Sequence, residues 1–443
     1  MEVMAADKDT ANGALPPLDA DAFDVGSTAD SLARLCDAAA RQPGLFRIHS
    51  PERQKDIWIV NNPADIKRIL VTQHRNFTKG VGLDRVKILL GHGIMTSEGD
   101  LWRRQRRMIQ PAFNRKPLER MTSTIYAHMQ RCIERFSDHA KRQEPLDITN
   151  ATSELTLDII LDLIFSEDLA WLSEKMGGNP FALVNEHADR DLKFAYKFRS
   201  LCRLVGELIQ HRRQENLSRQ DFLSALMAAT DKDNNAPMPD RLIIDEAMTL
   251  VVAGHETTAS SLNWLWFLLA RHPQVFAKLT QEIDASVLQA APSFSELESY
   301  PYTHAVVREA LRLYPPGWIL SRRTLEPDQL SGYHVPAGTD VMLSPYLIQR
   351  HPAYWSQPTE FMPERFLNTS TDPRDEWIYI PFAAGPRHCV GEHLAMYEML
   401  LHTISVARHF TLHSIDQHFP EIEAAINLRT RNSLFMQIQS RQH

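Results

Sequence analysis

One helix limits what this chain can fold into more than any other feature. The stretch RLIIDEAMTLVVAGHETTASSLNWLWFLLARHP, Arg241 to Pro273, holds ~30 residues of near-continuous helical character, ends at His272-Pro273 and would span roughly 45 Å. It is apolar almost all round, so it is predicted to run through a core rather than lie on a surface. Its middle, AGHETT (Ala253 to Thr258), breaks the pattern with a glycine, a carboxylate and two β-branched threonines, all costly in a buried helix. Either these groups meet something polar inside the fold, or they form a satisfied hydrogen-bond network at a kink.

The surround of that helix reads as mainly α with small peripheral β-sheets. Between Pro63 and Arg308 the pattern is helical, and the polar loop DKDNNAPMPD (Asp231 to Asp240) is its clearest break. β-favouring runs at Leu45 to Ile48 and Ile57 to Val60 predict a hairpin, and short strands return near Tyr333 to Leu343 and in INLRTRNSLFMQIQS. Residues 26–443 are expected to form a single domain, preceded by a disordered segment, 1–25, rich in Ala, Asp, Gly and Pro. A hydrophobic content of 43% over 443 residues supports a large core. The formal net charge of -7 argues against non-specific nucleic-acid binding. No basic-then-apolar leader and no apolar run of membrane-spanning length occurs, so a cytoplasmic protein without a membrane span is expected.

Four cysteines, at 36, 132, 202 and 389, form no CxxC, which argues against a zinc knuckle or an iron–sulfur cluster. Cys132 and Cys202 sit in helical patterns and read as packing residues. Cys389 differs. It lies in FAAGPRHCVGEHLAMYEML (Phe382 to Leu400), between a turn built on Gly385-Pro386 and a helix whose Leu394, Met396, Tyr397, Met399 and Leu400 suit burial. Backbone N–H groups at that helix start, the dipole and nearby Arg387 are expected to favour a thiolate, and Gly391 leaves room for something flat. A Cys–His nucleophile using His388 or His393 is the other reading, but such near sequence neighbours rarely reach the required geometry.

With the central helix, this segment resembles the haem-binding signature of the cytochrome P-450 superfamily, F-x-x-G-x-R-x-C-x-G, matched by Phe382, Gly385, Arg387, Cys389 and Gly391. WRRQR (Trp102 to Arg106), AGHETT, EALR (Glu309 to Arg312) and PERF (Pro363 to Phe366) follow the family's order. The resemblance implies the P-450 fold, with haem b (iron protoporphyrin IX) between the central helix and the cysteine loop, and O2 as co-substrate. It implies that Cys389 is the iron ligand, that Phe382 shields its sulfur and that Gly391 lets the helix approach the porphyrin. Trp102, Arg106, Arg387 and Arg322 are the implied propionate partners, although a one-residue shift would exchange Arg322 for Arg323. Glu309, Arg312 and Arg365 are the implied structural triad. Glu256 and Thr257 are the implied acid–alcohol pair for proton delivery, with the glycine and a local helix distortion leaving space for oxygen.

Oxygen activation in this family takes external electrons, and no Gly-rich dinucleotide fingerprint is apparent. A separate ferredoxin or flavodoxin with its NAD(P)H-dependent reductase is therefore expected, docking on a face with Arg103, Arg104, Arg107, Arg115 and Lys116. The substrate is expected to be a lipophilic small molecule such as a fatty acid, terpenoid or steroid, hydroxylated, epoxidised or desaturated. Ala253, Trp318, Ile319 and Leu434 are the candidate pocket residues. A haem-thiolate peroxygenase or isomerase, or a haem-based sensor or carrier, is the alternative; the retained Glu256-Thr257 pair favours the monooxygenase.

Overall fold

The expected central helix forms without a break. In a computed structural model the described residues are 15–26, 28–178, 180–181, 192–367, 372–416 and 418–442. The helices that build the site are α1 (Gly99–Ile109), α2 (Thr122–Arg142), α3 (Ile148–Phe165), α4 (Asp240–Arg271), α5 (Pro301–Leu313) and α6 (Glu392–His409). Pro239 precedes α4 and Asp240 sits in its first turn, where a carboxylate complements the dipole. Pro273 ends it, since it cannot continue the hydrogen-bond ladder.

α4 packs along α3, and that contact accounts for part of AGHETT. The His255 ring lies 2.9 Å from Ser153 Oγ, and the Thr156 hydroxyl donates to the His255 carbonyl at 3.3 Å. A Cβ on Gly254 would come within 2.9 Å of the Ile160 side chain. The glycine therefore permits close approach of two helices. This corrects the expectation that it and a local distortion make space for oxygen, because α4 stays α-helical throughout.

Small sheets flank the helices. The predicted hairpin is β1 (Leu45–Ser50) and β2 (Lys55–Val60); with β3 (Phe77–Lys79), β5 (Leu320–Thr324) and β8 (Asp340–Leu343) it forms a sheet ordered β1-β2-β8-β5-β3. Its pairings are antiparallel except β2–β8, and the register sets Lys79 opposite Arg322. A second sheet runs β4 (Leu146–Asp147), β12 (Phe435–Ser440), β9 (Phe410–Ser414). Two hairpins complete the set: β6 (Asp328–Leu330) with β7 (Tyr333–Val335), and β10 (Ile422–Ala424) with β11 (Leu428–Thr430).

The expected disorder of residues 1–25 does not hold for residues 15–25. The Asp19 N–H donates to the Arg47 carbonyl, the Asp19 carboxylate pairs with Arg41, and Phe23 is buried, so backbone pairing and apolar burial both hold this stretch. Residues 1–14 lie outside the described residues. Among the described residues, no helix is long and apolar enough to cross a membrane.

Candidate active site

The cysteine loop is shaped by one glycine. Gly385 has φ +69°, and a Cβ there would fall 2.0 Å from the Leu70 carbonyl oxygen, so both conformation and close approach demand a residue without a side chain. The chain then returns so that the Cys389 N–H donates to the Phe382 carbonyl at 2.9 Å. Gly391 precedes α6, and a Cβ added to it would meet only Cys389 Sγ, at 4.0 Å. Cys389 is exposed to this space, in contrast to buried Cys132, whose thiol burial pushes up to about 12.

Although the residue opens onto this space, the protein packed around its sulfur desolvates the thiol and raises it, against the expectation of a favoured thiolate. The N–H groups of Gly391 and Glu392 and the guanidinium of Arg106 pull it down, the Glu392 carboxylate opposes them, and desolvation wins. Arg106, whose Nη1 donates to the His388 carbonyl at 2.8 Å, is the cation acting on the sulfur. Arg387 instead engages Ser97 O and the Glu98 carboxylate and lies 4.2 Å over the buried Trp102 ring.

Arg387 joins a cluster of desolvated cations. Arg322 is buried, and burial followed by repulsion from Arg387 holds it down to about 10. Arg323 points the other way, to Asp340 at 2.7 Å, so Arg322 is the inward residue of the two. Lys79, opposite Arg322 in the sheet, is a member that sequence reading missed. Burial, then the charges of Arg387 and Arg322, push its ammonium down to about 7. Glu98 offsets these cations; a second carboxyl nearby, Glu246, is pushed up to about 8 by burial and so offsets them less.

α4 contributes the second face. Ala253 is exposed and Gly254, Glu256 and Thr257 half-buried, in a helix otherwise buried from Leu262 to Leu269. Thr257 Oγ1 donates back to the Ala253 carbonyl at 2.8 Å, and Glu256 Oε2 accepts from Asn427 Nδ2 at 2.9 Å.

The chain matches the cytochrome P-450 family over residues 30–433. It belongs to that family. Cyclooctatin synthase of Streptomyces melanosporofaciens is 32% identical over 378 residues, 82% of this chain and 82% of that one. Pentalenene oxygenase of Streptomyces avermitilis is 31% identical over 349 residues, 76% of this chain and 78% of that one. The crystal structure of another cytochrome P-450 haem domain shares the fold with a TM-score of 0.83 at 23% identity, covering 94% of both chains.

As a P-450 the protein is a monooxygenase that carries haem iron. The site fits such a group. Its exposed sulfur has backbone donors behind it, Gly391 offers no side chain above the loop, and three desolvated cations, Lys79, Arg322 and Arg387, suit carboxylates such as propionates. A metal at the sulfur would reverse its raised pKa, because a coordinating thiol is deprotonated outright.

The triad residues of the P-450 meet as the resemblance implied. Glu309 and Arg312 are wholly buried; Arg312 donates to Glu309 at 2.7 and 2.8 Å, and Arg365 Nε reaches Glu309 Oε1 at 3.0 Å. Arg312 also donates to the carbonyls of Gln349, Pro358 and Glu360. Gln349, which sequence reading missed, donates to the carbonyls of Leu311 and Arg312 and accepts from the Ile380 N–H at 2.8 Å. It ties the triad to the strand of chain leading into Phe382.

The expected pocket wall needs one correction. Trp318 is 1% exposed and its indole N–H donates to the Ala425 carbonyl at 2.9 Å, so it packs inside the fold and does not narrow a pocket. Ile319 and Leu434 are half-buried against the main core, and Leu434 is held by its N–H to Thr149 Oγ1. The basic face is also less positive than its sequence suggests. Arg103 pairs with Asp100, Arg107 with Asp233 and Arg115 with Glu298, while Arg104 and Lys116 stand exposed.

Proposed function

We propose that this P-450 binds haem b and hydroxylates, epoxidises or desaturates a terpenoid-like lipophilic molecule. The observation that carries the cofactor half of the reading is an exposed Cys389 on a loop whose Arg387 joins the desolvated Lys79 and Arg322, three basic groups with one shared ionic partner, Glu98. Support for the substrate half comes from relatives named for cyclooctatin and pentalenene. When bound, the haem supplies activation of O2 and transfer of one oxygen atom to the substrate.

The chain's own groups would do the rest. Cys389 holds the iron, and the Gly391 and Glu392 N–H groups tune its sulfur. Lys79, Arg322, Arg387, Trp102 and Arg106 receive the propionates, and Phe382 covers the sulfur. Glu256 takes protons from solvent and passes them through water toward the Thr257 hydroxyl, which the Ala253 carbonyl orients. Electrons arrive from a ferredoxin or flavodoxin reduced by its NAD(P)H-dependent reductase. The exposed pair Arg104 and Lys116 is the docking point; reversing both charges should slow reduction most at low salt, and an unchanged rate would remove the docking claim.

Optical titration of the purified ferric protein tests the whole reading. A saturable spin shift with cyclic terpenoids, and none with fatty acids or steroids, is the expected result. A shift confined to another class would overturn the substrate assignment. Reducible haem that turns over nothing would favour the sensor or carrier.

A further inference from the structure

The Glu256 carboxylate is held from outside its own helix. Asn427 sits at the tip of the β10–β11 hairpin, where the Ala425 N–H closes the turn on the Asn427 carbonyl at 3.2 Å. Its side-chain amide reaches across to Glu256 Oε2 at 2.9 Å. Because a carboxylate only accepts hydrogen bonds, the amide nitrogen is the contacting atom and the donor.

The hairpin itself is clamped twice. On the α4 side, Ser260 Oγ donates to the Leu428 carbonyl at 2.6 Å and Asn263 Nδ2 to Thr430 Oγ1 at 2.9 Å. On the other, the Leu428 N–H donates to the Pro316 carbonyl at 3.0 Å and the Trp318 indole to the Ala425 carbonyl at 2.9 Å. Asn427 is thus delivered to the glutamate by a turn fixed both to the catalytic helix and to the Pro315–Leu320 segment.

We infer that Asn427 is a positioning residue for proton delivery by Glu256. A half-exposed glutamate has three side-chain torsions, and a proton relay works only when its carboxylate is oriented. A neutral amide suits that task. It fixes one oxygen and has no proton of its own to exchange near neutral pH. The inference rests on Glu256 being the proton carrier, so the test separates the two claims.

The experiment compares Asn427→Leu, Glu256→Gln and the double variant in the haem-loaded protein with a shifting substrate. The readout is the fraction of reductant appearing as product. Asn427→Leu should lower it about tenfold, below the ~100-fold that misplacing a reacting group can cost, with substrate affinity and melting unchanged. The double variant should be no worse than Glu256→Gln alone, and Asn427→Gln should recover part of the loss. A second readout needs no turnover: carbodiimide labelling of Glu256, mapped by mass spectrometry, should rise several-fold in Asn427→Leu once the amide no longer covers the carboxylate. Should Asn427→Leu fail to fold, Asn427→Ala gives the same reading. Normal coupling in the Asn427 variants with uncoupling in Glu256→Gln would overturn the positioning role and keep the glutamate. Normal coupling in Glu256→Gln would overturn the proton-carrier reading itself. Additive losses in the double variant, or unchanged labelling, would show that Asn427 does not act through Glu256.

Discussion

The two sides of the site are held by opposite means. Behind the cysteine loop, Arg312 uses all of its guanidinium donors on Glu309, Gln349, Pro358 and Glu360, and Gln349 passes that order on to Ile380. On the α4 face, Thr257 and Glu256 are half-buried, and Thr257 is oriented by a bond to its own helix. On the proposed reading the loop bears the iron ligand and must not move, so its supports are buried, charged and convergent. The groups proposed to pass protons must meet water, so they stand on a half-buried face. The difference predicts that substitutions behind the loop cost folding, whereas substitutions on the open face cost chemistry.

The largest expected effect is at Arg312. Arg312→Ala leaves a buried Glu309 without its main partner and frees three carbonyls, a loss of about 3–5 kcal/mol, so misfolded or haem-free protein is expected. A folded protein with normal haem spectra would end the idea that this side is the rigid one. Cys389→Ser sharpens the same contrast. The sulfur is exposed in the fold, so chain stability should change by under ~1 kcal/mol while the family's red-shifted carbon-monoxide band disappears. A retained band would refute the ligand assignment.

His255 tests the junction between α4 and α3. Burial holds it down to about 4 from the ordinary 6.5, so it stays neutral in the fold while the unfolded chain takes up a proton below 6.5. Its contribution is complete above pH 6.5 and is lost as pH falls toward about 4, amounting to roughly 2 kcal/mol between pH 7 and pH 5. His255→Gln should remove that share of the pH dependence in denaturant titrations. An identical slope in parent and variant would mean that the ring protonates within the folded protein.

Legibility followed the spacing of the residues in the chain. Glu309 and Arg312 are three apart on one helix, and the cysteine loop is continuous, so both could be read from the sequence. Lys79 and Arg322 become neighbours only through a strand pairing across 243 positions, and Asn427 meets Glu256 across 171, separations that carry no local signal. Trp318 stayed ambiguous for a different reason. A large aromatic fits a core or a pocket equally well until its indole partner, Ala425, is known. Gly254 shows the same limit: sequence reveals a missing side chain, but only the packed Ile160 shows what the gap is for.

The smallest effect on stability and the most selective effect on function meet at Thr257. Its hydroxyl bonds the carbonyl four residues back, a contact that competes with the helix ladder and slightly weakens it. Alanine removes that competition and has the better helix propensity, so Thr257→Ala should leave stability within ~0.5 kcal/mol of the parent or raise it. Substrate spin shift and haem spectra should also be unchanged, because the hydroxyl bonds back to its own helix and not to the cysteine loop among the described residues. What should fall is the fraction of reductant recovered as product, the remainder appearing as hydrogen peroxide. Thr257→Ser, which keeps the hydroxyl, should restore most of the coupling. If Thr257→Ala couples fully, the open face carries protons by another route; if it unfolds, the division between a rigid side and a working side is wrong.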